Sequence, residues 1–190
     1  MNIITSPPQA AMHPFAQSDA SPFEGDVRIN THTNRIFARH RSGRGEELGW
    51  ECHQMRPDGR VSVTYPKGRT KGLVVAGAPG RSRLRLTEGA LAAVAARALL
   101  SPGDDPVWVV GLGGFWNEEA ARHLAAFIAR QRIRTVEVAN GTHHPAGQAM
   151  RAAALRGLAA MPVDVVDHPA PDGGWLAALR SARWLGEDGQ

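Results

Sequence analysis

The hydrophobic period changes once along this chain, near its middle, and the change divides it. Over residues 83–87, Leu84 and Leu86 alternate with Arg83 and Arg85, the period of two expected of a half-buried strand. From Glu88 to Leu100 the apolar positions Leu91, Val94, Ala95, Ala98 and Leu99 recur at helical spacing, so a strand runs straight into an amphipathic helix. The succession repeats three times: strand 107–111 and helix 117–131, strand 135–139 and helix 145–158, strand 163–166 and helix 175–184. Asn117 is placed to N-cap the second helix, with Glu118 and Glu119 in its first turn and Leu124, Phe127 and Ile128 on one face. Four strand-then-helix units predict an α/β fold, a parallel sheet with helices on both faces.

Upstream the segments are shorter and extended, at 35–39, 48–52 and 61–65, with turn signals at Ser42-Gly43, 57–59 and 66–68. They read as a small antiparallel meander, with 71–75 as its last strand. Residues 1–24, rich in Pro, Ser, Ala and Gln without periodicity, read as a flexible arm. The expected organisation is therefore an arm at 1–24, a β-rich segment at 25–76, an α/β domain at 77–186 and a tail at 187–190, with the 76–80 loop as the boundary.

Composition narrows this. A chain of 190 residues that is 43% hydrophobic suits one domain with appendages, or two small domains sharing a core. The single cysteine, Cys52, excludes an intrachain disulfide framework and a Cys-based zinc site, and fits a reducing cytoplasm. No run approaches the roughly 20 apolar residues of a membrane span. The first residues lack the basic start and apolar centre of a secretory signal. The expectation is a soluble cytoplasmic protein with no membrane partner.

Net charge is only +4, but it is unevenly placed. Between Arg60 and Thr87 stand seven basic residues, Arg60, Lys67, Arg69, Lys71, Arg81, Arg83 and Arg85, and no acid. Arg28, Arg35, Arg39, Arg41 and Arg44 lie in the same half, while the acids concentrate at 46–47, 104–105, 118–119 and the C-terminal tail. Such asymmetry is the footprint expected of a protein that meets a phosphate backbone; its plainer reading is a solvated arginine-rich surface. Trp50 and Tyr65 sit within this basic half. Packing inside a small sheet is the favoured role for both, and stacking on unpaired bases is the alternative.

In a parallel sheet, ligands collect outside the carboxyl ends of the strands. The residues placed there are Glu88, the 111–114 glycine loop, Asn140 to His144, and Asp167-His168. Glu88 lies near a helix N-terminus, whose dipole favours an ionised carboxylate. The glycine loop lacks the third glycine of a dinucleotide fingerprint and follows the second strand, so it reads as a tight turn into the helix.

The order of these motifs resembles a Toprim domain, the metal-binding module of primases, topoisomerases and related nucleases. A strand ends in Thr87-Glu88-Gly89, a second strand exits through a Gly-Gly pair, and a third leads into Pro145-Ala146-Gly147-Gln148-Ala149. The resemblance covers about residues 72–182. The segment from Asp26 through Gly49-Trp50-Glu51 to Lys71-Gly72 is similar to the short domain of unknown function that precedes Toprim in plasmid and phage primase-like proteins. The resemblance implies a Rossmann-like sheet, nucleic acid as partner, and Glu88 as general acid/base or metal ligand.

The sequence also departs from that family. Where the family carries Asp-Asn-Asp-Pro-Ala-Gly, this chain reads Thr142-His143-His144-Pro145-Ala146-Gly147, so Thr142 and His144 replace the aspartates that bind magnesium. A later Gly-Lys-Asp-Trp-Asn-Asp element is reduced to Asp172-Gly173-Gly174-Trp175-Leu176-Ala177, with only the tryptophan in place. One carboxylate holds magnesium poorly, so binding of magnesium or manganese is expected to be weak or absent. Two readings of the replacement stand. His143 and His144, with Glu88 and Asp167 or His168, ligate a softer ion such as manganese or zinc; or the site is degenerate, and the histidines contact phosphate or cap the next helix.

The leading expectation is a DNA-binding protein of primase ancestry, from a plasmid, phage or other mobile element, using the 60–85 basic run and His143. The alternatives are a metal-dependent primase or nuclease using Glu88 with His144, and a non-catalytic subunit of a replication or conjugation complex.

Overall fold

The computed structural model describes residues 26–187 apart from 31, 57–59, 77–81, 102–104 and 106, and only the backbone of 29, 55 and 183–187. The expected arm, the 57–59 turn, most of the 76–80 boundary loop, Arg81 and all but the first residue of the tail lie outside the described residues.

The four strand–helix units form as their periodicity predicts: β6 (Arg83–Thr87) with α1 (Ala90–Ala98), β7 (Trp108–Leu112) with α2 (Glu118–Gln131), β8 (Thr135–Val138) with α3 (Pro145–Leu158), and β9 (Asp164–Asp167) with α4 (Trp175–Glu187). Pairing of β7, β6, β8 and β9, in that order, is parallel throughout. Leu84 and Leu86 of β6 face α2 and α3 in one apolar layer with Leu124, Phe127, Val136 and Leu158. The opposite layer joins α1 and α4 through Ala93, Val94, Val109, Ala139, Trp175 and Leu179. Alternation along each strand thus feeds two cores, one on each face.

The helix ends follow local chemistry. The Asn117 side chain accepts the Ala120 N–H at 2.8 Å, and Arg132 closes α2 in the left-handed region at φ 55°. Helix α1 begins two residues later than the pattern predicts, at Ala90, with Gly89 as an N-cap that supplies no side chain. Glu88 therefore stands in the turn before α1.

The antiparallel half departs most from expectation. It holds β1 (Val27–Asn30), β2 (Arg35–Arg41), β3 (Glu47–Met55), β4 (Val61–Thr64) and β5 (Leu73–Val75). Strands β2, β3 and β4 form the meander, but β5 does not extend it beside β4. It pairs antiparallel with β7 (Val74 opposite Gly111) and meets β2 at Arg41 opposite Leu73. One sheet of order β4-β3-β2-β5-β7-β6-β8-β9, with β1 against β2, therefore crosses the 76–80 loop. Val74 and Ala76, both fully buried, join the α1 layer.

These registers fix the edges. Leu73 opposes Leu112, and Arg41 opposes both Leu73 and Glu47, so the end of β2, the start of β3 and the start of β5 all lie at the edge where β7, β6 and β8 finish. The 65–72 connection from β4 to β5 runs along that same edge.

Candidate functional site

Glu88 lies at this carboxyl edge, and its Oε2 accepts the Gly141 N–H at 3.2 Å. His143 borders the same residue: its ring stands 2.9 Å from where a Cβ would be on Gly141, a position that Glu88 Oε1 approaches to 3.6 Å, and 2.9 Å from that of Gly174. His144 is the N-cap of α3; its Nδ1 accepts the Ala146 N–H at 3.0 Å, and Pro145 occupies the first helical position. Asp167 is paired with Arg151, and His168 is exposed. Asn140, fully buried next to Gly141, has no hydrogen-bond partner for either side-chain polar atom among the described residues.

This donor set does not fit magnesium held as the resemblance implies. Glu88 is the single carboxylate, one of its oxygens already takes a backbone N–H, Thr142 is neutral, and the His144 nitrogen nearest the turn is committed to capping. Among the described residues, no three His, Cys, Asp or Glu side chains are grouped so as to hold a metal ion. Of the two readings of the histidine pair, the helix cap is the one whose geometry His144 adopts.

The basic run does not form one surface. Lys67 and Arg69, both exposed, and half-buried Lys71 lie on the 65–72 segment at the Glu88 edge. Arg60 precedes β4, and Arg83 opens β6, at the opposite edge. Arg83 and Arg85 face α4 and share the buried carboxylate of Glu137: Arg83 Nη2 donates to Oε1, and Arg85 Nε donates to Oε2 at 2.8 Å. Burial would push the Glu137 carboxyl up, but Arg85 and Arg83 outweigh it and hold it below its ordinary range. The Arg85 guanidinium also lies 5.6 Å from the ring centroid of Trp175, whose indole N–H donates to the Ala139 carbonyl at 2.7 Å.

A second buried cluster, which the sequence reading did not single out, borders Glu88. Glu51 on β3 faces the α1 side of the sheet. His40 Nε2 lies 2.6 Å from its Oε2, Lys71 Nζ 3.4 Å from the same oxygen, and His53 Nε2 3.1 Å from Oε1. His40 Nδ1 reaches the Gly72 carbonyl at 3.1 Å, so with an ionised Glu51 the ring donates from both nitrogens. Burial would raise the Glu51 carboxyl, and bonding to His40 with the nearness of His53 and Lys71 reverses this and keeps it well below the usual carboxylate range. His53 is 5% exposed, and its Nδ1 has no hydrogen-bond partner among the described residues. Glu51, His53 and Lys71, with fully buried His40 beneath them, floor a cleft of about 360 Å³ walled by Glu88, Gly89, Leu91, Gly113 and Leu176. The two halves meet tightly there: a Cβ on Gly113 would lie 2.5 Å from the Lys71 Cβ and 2.6 Å from the Gly72 carbonyl oxygen.

A signal for this cluster was present. Ile36, Ala38 and His40 alternate on one face of β2, and Glu51 and His53 share that face of β3 opposite Ala38 and Ile36. The aromatics also differ from expectation. Neither Trp50 nor Tyr65 belongs to either apolar layer. Tyr65 instead meets the His40 ring edge-on at 5.0 Å between centroids.

No protein-family model matches the chain, and no curated protein matches it. Solved primases resemble its structure. The Aquifex aeolicus primase, comprising zinc-binding and RNA polymerase domains, aligns with a TM-score of 0.51 at 18% identity, over 85% of this chain and 40% of that one. The Escherichia coli primase catalytic core aligns with a TM-score of 0.49 at 18% identity, over 83% and 53%. The primase fragment of the bacteriophage T7 primase-helicase aligns with a TM-score of 0.43 at 20% identity, over 69% and 52%. The chain thus spans about half or less of the length of these proteins. The Aquifex alignment shows a shared fold, the α/β primase-core architecture, and no helix among the described residues is long and apolar enough to cross a membrane.

Proposed function

We propose that this chain is a nucleic-acid-associated protein of primase-like architecture, with DNA as its partner, and that it holds the phosphate backbone at the carboxyl edge of the sheet without a working metal site. The observation that carries this reading is the 65–72 segment, which sets Lys67 and Arg69 in solvent beside the Glu88 cleft with no acid in the segment. Exposed cations on one edge attract a polyanion, and each phosphate contact steepens the salt dependence of binding. The fold shared with the Aquifex primase agrees with a nucleic-acid partner. The primase or nuclease alternative would have to draw its second ligand from His144 Nε2, because Nδ1 caps α3.

The test is a charge-reversed double variant, Lys67→Glu with Arg69→Glu, measured against DNA over a salt series. Loss of two phosphate contacts lowers the slope of log affinity on log salt by about 2. An unchanged affinity and slope would refute the reading. A second reading, an interaction subunit of a replication or conjugation complex, is favoured by Val61 and Val63, which are 37% and 49% exposed on edge strand β4. It predicts a specific protein partner on pull-down and no appreciable DNA affinity.

A further inference from the structure

The sheet face opposite the Glu88 cleft carries a second surface of different chemistry. Beyond α2, side chains of β1, β2 and β3 alternate onto it: Arg28, Arg35, Phe37, Arg39, Arg41 and Trp50. Trp50 opposes Arg39 across the β2–β3 pair, and Phe37 opposes Arg28 across β1–β2. The guanidinium carbons of Arg28 and Arg39 stand 4.9 and 4.6 Å from the Trp50 ring centroid. The indole N–H donates to Glu47 Oε1 at 3.1 Å, which fixes the tilt of the ring.

Two of these arginines are held in place. Arg41 donates to both Asp26 oxygens, and Arg39 Nε lies 3.7 Å from Asp26 and 3.5 Å from Glu47. Arg28 is exposed and has no carboxylate partner among the described residues. A cavity of about 490 Å³ opens here, lined by Arg28, Asn30, Phe37 and Trp50. Two half-buried aromatic rings, a side-chain amide and an unmatched guanidinium suit a flat, hydrogen-bonding ring joined to an anion.

We propose that this face is a stacking platform for the unpaired bases of a single-stranded nucleic acid. A base takes the Trp50 face that Arg28 now covers, and Arg28 swings onto the adjoining phosphate. Stacking is sequence-tolerant, because every base has a π-face, whereas a duplex keeps its bases stacked on one another and offers none. The inference rests on the reading of the chain as nucleic-acid-binding and names the form it takes. An acidic peptide could match Arg28 but would leave both rings unused.

The test is fluorescence anisotropy with labelled oligo(dT), oligo(U) and a DNA duplex of equal length, over a salt series. Trp50→Ala is expected to weaken oligo(dT) binding at least ~5-fold while leaving duplex affinity and the salt slope unchanged. Trp50→Phe is expected to retain most of the affinity. Arg28→Ala, which leaves the indole in place, is expected to lower single-strand affinity and reduce the slope by about 1 without moving the thermal transition. Comparison of oligo(dT) with oligo(U) assigns DNA or RNA. Equal losses for single strand and duplex in Trp50→Ala would overturn the proposal, as would no loss at all, Arg28→Ala without effect on single-strand binding, or poly-glutamate competing as well as oligo(dT) at equal charge. Should Lys67→Glu with Arg69→Glu flatten the salt slope while Trp50→Ala does nothing, this inference fails and the broader reading survives. If no nucleic acid binds at low salt, both fail.

Discussion

The two halves of the sheet solve one problem differently. Each buries a glutamate, Glu137 at 3% and Glu51 at 6% exposure, and a buried carboxylate needs cations and donors around it. In the parallel half, covered on both faces by helices, Glu137 is matched by Arg83 and Arg85, whose guanidinium groups stay charged at any working pH. In the antiparallel half, where no helix packs along β3 and β4 among the described residues, Glu51 lies at the floor of an open cleft and is matched by His53 and Lys71 there and by His40 beneath. The first cluster ties β6 to β8 under α4. The second sets polar groups beside Glu88. A buried ion cluster fastens strands in one place and furnishes a cleft in the other, and what separates the two is the choice of cation and the access of solvent.

The largest expected effect breaks the comparison on its rigid side. Glu137→Ala leaves the largely buried Arg85 without its carboxylate and Arg83 with only the exposed Asp105, and is expected to cost about 3 kcal/mol in urea unfolding. On the cleft side Glu51→Gln is expected to cost less, about 2 kcal/mol, because Lys71 is 34% exposed and can turn to water. The pH dependence sharpens the point. The Glu51 carboxyl is lowered on folding, so its stabilisation is fully present above the ordinary carboxylate value of 4.5 and is lost as pH falls through its lower folded value. The stability gap between wild type and Glu51→Gln is therefore expected to hold at neutral pH and shrink below about pH 4.5.

Smaller effects test the seam and the cap. Gly113→Ala drives a methyl against the Gly72 backbone where the halves meet, and is expected to cost about 1–2 kcal/mol. His144→Ala removes the α3 cap at a cost of about 0.5–1 kcal/mol and is expected to leave any response to metal unchanged. A metal response lost in that variant would return His144 to the ligand set.

The parallel half was legible in the sequence because each of its elements announces itself locally. Helix α3 runs from Pro145 to Leu158 as the apolar spacing places it, and Asn117 caps α2 because its side chain reaches a backbone N–H only three residues on. The antiparallel half was less legible because its meaning is long-range. Strand β5 is three residues long, and nothing within them reveals that they pair with β7 rather than β4. The sites follow the same rule. Position and neighbourhood at the sheet edge could be read for Glu88, but the partners of Glu137 lie 52 and 54 residues away on a strand that adjoins β8 only through topology. The period of two assigned Arg83 and Arg85 to a face without showing the carboxylate on it. For His40, Glu51 and His53, only the β2–β3 register brings together the residues that meet as an ion cluster.

The central claim, a nucleic-acid platform whose metal site no longer works, is tested most directly by calorimetric titration of magnesium and manganese into wild type and Glu88→Ala, each with and without single-stranded DNA. The account predicts DNA affinity that both proteins retain, and no metal binding that depends on Glu88. Binding of either metal that appears in the wild type and vanishes in Glu88→Ala would contradict it and return the site to phosphoryl transfer.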